Sequence, residues 1–183
     1  EEITYTYNYI DNDDGTITLS CYDVNGSWVG GISPSPVGEF TVPSEIDGKR
    51  VVAIGGNYFD NCNLMTSVII PNSVTNIEGY AFWYCSGLAS VTIPNSVTSI
   101  GDFAFYECSG VTNVVIGNRV TSIGCYAFSC CRRLTGVTIP AGVEYIGDYA
   151  FSYCSSLATV AFADNEGDIE SKIGRAGQQE CRD

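Results

Sequence analysis

Three residue types in this chain keep one period. Ile54, Ile77, Ile100, Ile123 and Ile146 stand 23 residues apart, as do Phe59, Phe82, Phe105, Phe128 and Phe151, and as do Cys62, Cys85, Cys108, Cys131 and Cys154. A chain whose apolar residues return at a fixed interval in the twenties buries them by stacking equivalent coils, because one such coil cannot cover its own apolar face. The period therefore dictates a solenoid whose core is a column rather than a ball.

One unit, Leu88–Ile100 and its continuation to Cys108, shows how a coil is built. Val91 and Ile93 alternate with Ser90 and Thr92, the pattern of a strand with one buried face. Pro94 lacks an N–H and ends that strand. Val97 and Ile100 turn inward from a second short extended segment. Gly101-Asp102 makes a corner, and Phe103–Cys108 is too short for a standard helix, so a tight turn or one 3₁₀ turn is expected there. Leu88, Val91, Ile93, Val97, Ile100, Ala104, Phe105 and Cys108 then point inward, and neighbouring coils join through parallel strand hydrogen bonds.

The regular array is bounded on both sides. Residues 1–40 do not follow the period. Ile3, Tyr5, Tyr7 and Tyr9 alternate with polar residues, as do Ile17, Leu19 and Cys21, and Asp11–Gly15 lies between them. That reads as a β-hairpin capping the first coil, followed by a Gly- and Pro-containing loop, with Trp28 packing back onto the cap. Residues 41–162 hold the repeats; Val42-Pro43 matches the later Ile-Pro pairs, with Ser44–Gly48 inserted. Residues 163–183 read as a polar tail or an incomplete further repeat. The chain opens on Glu1 rather than Met, which reads as a mature or trimmed form lacking any export signal.

The unit Leu-x-x-Val-x-Ile-Pro-x-x-Val-x-x-Ile-Gly-x-x-Ala-Phe-x-x-Cys closely resembles the BspA-type leucine-rich repeat, the 23-residue class of bacterial and protist surface proteins. Departures are local: Gly117 replaces Pro, Met65 and Val111 replace Leu, Tyr58 replaces Ala, and Glu78 replaces Gly. The resemblance implies a right-handed leucine-rich repeat solenoid, an exported or surface location, and adhesion or protein binding without catalytic residues.

Composition narrows the function classes. The net charge of −13 argues against nucleic acid and anionic membrane surfaces as partners. The chain has no His, which removes Ser-His-Asp and Cys-His nucleophile systems and the commonest metal ligand. Asp102 and Asp148 recur at one corner, a solvated turn position rather than an acid/base pair. Asp11, Asp13 and Asp14 lack the ligand spacing of a calcium loop. No enzyme, cofactor or metal is therefore expected. The Cys column lacks zinc-type clustering and reads as buried core. Nine cysteines cannot all pair within the chain; Cys125 and Cys130 can come close at one corner, and Cys181 can cross-link chains. Asn25-Gly26-Ser27 fits a glycosylation acceptor pattern, and Thr75, Thr98 and Thr121 form a short Thr ladder.

Two faces are candidates for binding. The concave strand face presents small, uncharged residues, of which Ser90, Thr92, Asn113, Val115 and Thr138 are the leading candidates. An aromatic ridge of Tyr80, Phe103, Tyr126 and Tyr149, with Trp83 and Tyr106 beside it, is the alternative, since Tyr and Trp are enriched at hot spots. The expected partner is a host or neighbouring-cell protein or glycan, met outside the cell or at its surface. The chain is expected to be a monomer or to stack end to end as a structural spacer.

Overall fold

The computed structural model describes residues 3–23 and 25–163. Among these residues there is no helix. Fourteen short strands follow one another: β1 (Tyr9–Asp11), β2 (Thr16–Leu19), β3 (Gly38–Thr41), β4 (Glu45–Ile46), β5 (Lys49–Ile54), β6 (Met65–Ile69), β7 (Asn76–Ile77), β8 (Ser90–Thr92), β9 (Ser99–Ile100), β10 (Asn113–Val115), β11 (Ser122–Ile123), β12 (Gly136–Ile139), β13 (Tyr145–Ile146) and β14 (Thr159–Phe162).

They form two sheets that run the length of a β-solenoid of about five turns. One sheet has the order β1-β2-β5-β7-β9-β11-β13 with β4 on the side of β5, and the other β14-β12-β10-β8-β6-β3. Each coil gives one strand to each sheet. The repeat sets the register directly: Ile77 pairs with Ile100, Ile100 with Ile123, and Ile123 with Ile146. Equivalent side chains therefore lie one above the other.

The interior is a set of such columns. Phe59, Phe82, Phe105 and Phe128 are fully buried, and their rings stack nearly parallel with centroids 4.9, 4.9 and 5.1 Å apart; Phe151 continues the stack at 5.5 Å. Beside them the thiols of Cys85, Cys108, Cys131 and Cys154 donate to the carbonyls of Phe59, Phe82, Phe105 and Phe128 at 3.0, 3.2, 3.4 and 3.1 Å. Each thiol thus spans to the preceding coil. The column is a hydrogen-bonding one as well as an apolar one.

The corner segments are neither 3₁₀ helix nor a single turn. The Ala104, Tyr106 and Cys108 N–H groups donate three residues back, to Gly101, Phe103 and Phe105, at 3.3, 3.1 and 3.3 Å. The Phe103, Phe105 and Glu107 N–H groups donate instead to Cys125, Ala127 and Ser129 of the next coil at 2.8, 2.8 and 3.0 Å. A 3₁₀ helix would spend every N–H internally. Alternating the donors makes the corner a third line of coil-to-coil bonding. The conformation requires Phe103 and Glu107 at φ 56° and 57°, and the same left-handed pair recurs as Asn57/Asn61, Tyr80/Tyr84, Tyr126/Cys130 and Tyr149/Tyr153. The sterically unfavourable backbone of these non-glycine residues, about 1 kcal/mol each, is offset by the bonds that it permits.

The N-terminal cap has the expected hairpin. β1 and β2 pair antiparallel, and β2 joins β5 with Leu19 opposite Ile54, so Leu19 heads the Ile column. Phe40 of β3 stands opposite Val68 and is covered by Tyr5, edge-on at 5.1 Å. The inserted Ser44–Gly48 forms a hairpin of its own, β4 against β5, turning through Asp47 and Gly48 at φ 52° and 75°. Trp28 packs back onto the end of the cap, its backbone bridged to that of Tyr22, but only at the edge. It stays 59% exposed, its ring meeting only that of Tyr22 edge-on at 5.4 Å.

The other end of the described coils is less covered. Val160 is 44% exposed in a column where Val91, Val114 and Val137 are at most 5% exposed. Ile146, Phe151, Leu157 and Phe162 are only partly buried.

Candidate functional site

The outward residues of the second sheet form one face. Ser90, Thr92, Asn113, Val115 and Thr138 are all exposed on it, placed by strands whose alternate residues, Val91, Val114 and Val137, are buried. Asn113 lies opposite Ser90 and Val115 opposite Thr92.

The face is not uniform. A groove of about 450 Å³ opens over β10, β12 and β14. Asn113, Asn118, Thr135, Thr138 and Thr159 supply amides and hydroxyls to it; Val115, Pro140, Ala161 and Ala163 supply apolar surface. No lining residue is charged. Ser90 and Thr92 share the face but do not line the groove. Gly136 is among the lining residues, and the Thr159 hydroxyl leans into the space beside it. Where the neighbouring strands carry Asn113 and Thr159, this position has no side chain, and a Cβ here would come within 2.8 Å of the Thr159 Oγ1. Beneath the groove β10 and β12 share one registered pair, Val114 with Val137, where β6 and β8 share two and β8 and β10 three.

The aromatic ridge is a ladder. Tyr80, Phe103, Tyr126 and Tyr149 stack with centroids 4.9, 4.8 and 5.0 Å apart. Trp83 meets Tyr80 edge-on at 5.7 Å, and Tyr106 meets Phe103 at 5.6 Å. The rings occupy one another's faces, so along most of the ridge only edges face solvent. Tyr149, which ends the stack, is 62% exposed.

The remaining polar groups serve the fold. The hydroxyls of Thr75, Thr98 and Thr121 donate to the carbonyls of Val52, Thr75 and Thr98 at 3.2, 3.2 and 3.1 Å. Asp102 accepts the Cys125 N–H at 2.6 Å. Asp11 pairs with Lys49, and Asp14 accepts from the Thr16 N–H at 3.0 Å. Among the described residues no group of three or more His, Cys, Asp and Glu is arranged to hold a metal, and no helix is long and apolar enough to cross a membrane.

The thiols are held as thiols. Burial pushes Cys85 and Cys108 well above the ordinary value. Cys131 is raised by its hydrogen bond with Cys154 and then by burial. Cys130 is a buried free thiol and Cys125 is disulfide-bonded, so the two are not joined to each other. Cys181 lies outside the described residues.

Two features were not read from the sequence. The groove beside Gly136 had a signal, the single glycine in a column otherwise Ser67, Ser90, Asn113 and Thr159. The thiol-to-carbonyl bonds had none beyond the Cys column itself.

A family model described as a BspA type leucine rich repeat region matches residues 52–173 in six copies. Among solved structures, the chain is similar to a leucine-rich repeat protein of T. pallidum, with 30% identity and TM-score 0.73, covering 84% of this chain and 67% of that one. It is similar to a leucine rich cell surface protein of Faecalibacterium prausnitzii, with 35% identity and TM-score 0.71, covering 88% of this chain and 43% of that one. A leucine-rich repeat protein of Bacteroides ovatus matches at 31% identity and TM-score 0.72, over 88% of this chain and 40% of that one. The chain thus spans two thirds of the first relative and less than half of the other two. No curated protein matches.

Proposed function

The chain belongs to the BspA-type leucine-rich repeat family, and from that premise we propose that it is a non-catalytic binding module that engages a protein or glycan outside the cell through the outward face of its second sheet. The observation that carries this reading is the groove at Asn113, Val115 and Thr138. Hydroxyl and amide groups ring an apolar floor without charge, a lining suited to neutral hydrogen-bonding groups rather than to ions. A rigid stack of coils presents such groups at fixed spacing, so contact is multivalent and requires no rearrangement. The ridge at Tyr80, Phe103, Tyr126 and Tyr149 is a weaker candidate, because stacked rings have few free faces to offer a sugar or side chain. The surface description of the Faecalibacterium prausnitzii relative supports an extracellular setting.

The test is attachment to arrays of host proteins and glycans. Thr138→Glu places a charge in the groove and is expected to weaken attachment at least about tenfold; Thr92→Glu, on the same face but outside the groove, is expected to have a smaller effect. If neither substitution changes attachment, the strand face is not the site.

A structural role is the second reading, favoured by the exposed Val160 beside half-buried Phe151 and Leu157. At the N-terminal end β1 is the edge strand of one sheet, and Tyr5 covers Phe40. An uncovered apolar edge of the kind at Val160 can meet another copy of the chain. Light scattering across a concentration series tests it; a concentration-independent monomer removes this reading.

A further inference from the structure

Within the thiol column, Cys131 and Cys154 are hydrogen-bonded side chain to side chain as Cys62 and Cys85 are at the other end, and they differ from that pair in the exposure of Cys154, 9% against 2% for Cys62. Both are free, and their side chains hydrogen-bond to each other as well as to the coil before. They occupy the same register position in adjacent coils, whose strands pair Ile123 with Ile146 and Val137 with Val160. In-register neighbouring strands stand about 4.8 Å apart, inside the range of about 4.4–6.8 Å between Cα atoms that a disulfide spans. Cys154, at 9%, is the most exposed thiol of the column, and Cys85, Cys108 and Cys131 are fully buried. It lies in the coil whose Phe151 and Leu157 are only half covered. A small oxidant therefore reaches Cys154 before any of its interior counterparts.

We propose that Cys131 and Cys154 are an oxidation site, at which peroxide converts two free thiols into a disulfide that staples the last described coil to the one before it. In the first step the Cys154 sulfur attacks one oxygen of hydrogen peroxide. An S–O bond forms, the O–O bond breaks, and the released hydroxide takes the thiol proton and leaves as water. In the second step the Cys131 sulfur attacks the Cys154 sulfenic acid. The S–S bond forms, the S–O bond breaks, and the hydroxyl leaves with the Cys131 proton as a second water. Two sulfurs are oxidised by one electron each, and one peroxide is reduced by two. Its contact with Cys131 also holds the Cys154 thiol below the ordinary value, which favours the nucleophilic thiolate at the sulfur that peroxide meets first.

The experiment treats the folded chain with hydrogen peroxide, alkylates the remaining thiols and maps peptides by mass spectrometry. The expected product is one new cross-link between the peptides holding Cys131 and Cys154, lighter by two hydrogens, with Cys85 and Cys108 still alkylated. Fragmentation assigns the sulfur to Cys131 rather than Cys130, and Cys130→Ala is expected to keep the cross-link. Cys131→Ala is expected to stop Cys154 at a sulfenic acid that dimedone traps. Three outcomes each overturn the proposal in the unsubstituted chain: Cys154 oxidised without a link, Cys154 linked elsewhere, or Cys154 untouched until the chain unfolds.

Discussion

The thiol of Cys108 donates a hydrogen bond to the carbonyl of Phe82, 3.2 Å away in the preceding coil. The Phe82 carbonyl also accepts the Cys85 N–H at 3.3 Å, so one oxygen is tied both to its own turn and to the next coil. The bond explains why the column carries Cys: a side chain of this size fills the space beside the Phe stack and has a donor to use.

Replacing that donor has a measurable consequence. Cys108→Ala removes a satisfied S–H and leaves a small cavity, and is expected to lower stability by about 1–2 kcal/mol. Urea unfolding checks it. A change indistinguishable from zero would reduce the thiol to inert filling.

The same thiols give stability a pH dependence. Cys62 and Cys154 are lowered by their hydrogen-bonded partners Cys85 and Cys131 and oppose the effect in part, but Cys85, Cys108 and Cys131 are all raised in the fold above the ordinary value of 9.0. The folded state therefore holds these protons more tightly than the unfolded chain does. The stabilisation is complete below the unfolded value and lost as pH rises beyond it. Tm is expected to vary little with these groups between pH 7 and about 8.5 and to fall steadily above about pH 9. In the Cys85→Ala, Cys108→Ala, Cys131→Ala triple variant that alkaline fall should shrink; an unchanged fall would assign it to other groups.

Position along the stack should scale the cost of losing a ring. Phe105 is sandwiched between Phe82 and Phe128, whereas Phe151 stacks on Phe128 from a half-covered coil. Phe105→Ala is expected to cost about 3–5 kcal/mol, and Phe151→Ala at least about 1 kcal/mol less. Equal losses in denaturant titrations would contradict the columnar core.

The left-handed corner residues predict an unusual order of substitutions. Tyr153 has φ 55° and a side chain 77% exposed, so it contributes little packing against its backbone strain. Tyr153→Gly is expected to raise stability by about 0.5 kcal/mol, and Tyr153→Val to lower it by about 1 kcal/mol, since a β-branched residue is the least tolerant of positive φ. Thermal melts rank the three; Val above Gly would refute the strain argument.

How much of this was legible beforehand varied with how local the cause is. The Ile, Phe and Cys columns were read directly, because register in a stack is a restatement of sequence period. The hairpin at the N-terminus was readable from alternation around Asp11–Gly15. The corner at Phe103–Cys108 was read as a turn, but its alternating hydrogen bonds were not, because nothing in Phe103 or Glu107 themselves advertises a left-handed backbone; the signal lay two coils away, in Asn57 and Asn61 at the equivalent positions of the first coil. The insertion Ser44–Gly48 was visible as extra length, and its pairing with β5 only in the fold. For the candidate site, Asn113, Val115 and Thr138 were placed on one face by alternation alone, yet the groove that brings them together was not foreseen.

By itself the sequence determined the coil length, the inward residues, the stacking register and hence the solenoid, since an apolar column repeated every 23 residues has no other way to leave water. Tertiary structure decided what two coils do to each other: that the Thr159 hydroxyl leans into the space beside Gly136, that the ridge rings cover their own faces, and that each core thiol finds a carbonyl one coil away. These depend on atoms 23 or more residues apart meeting within a few ångströms, a distance that no local pattern encodes.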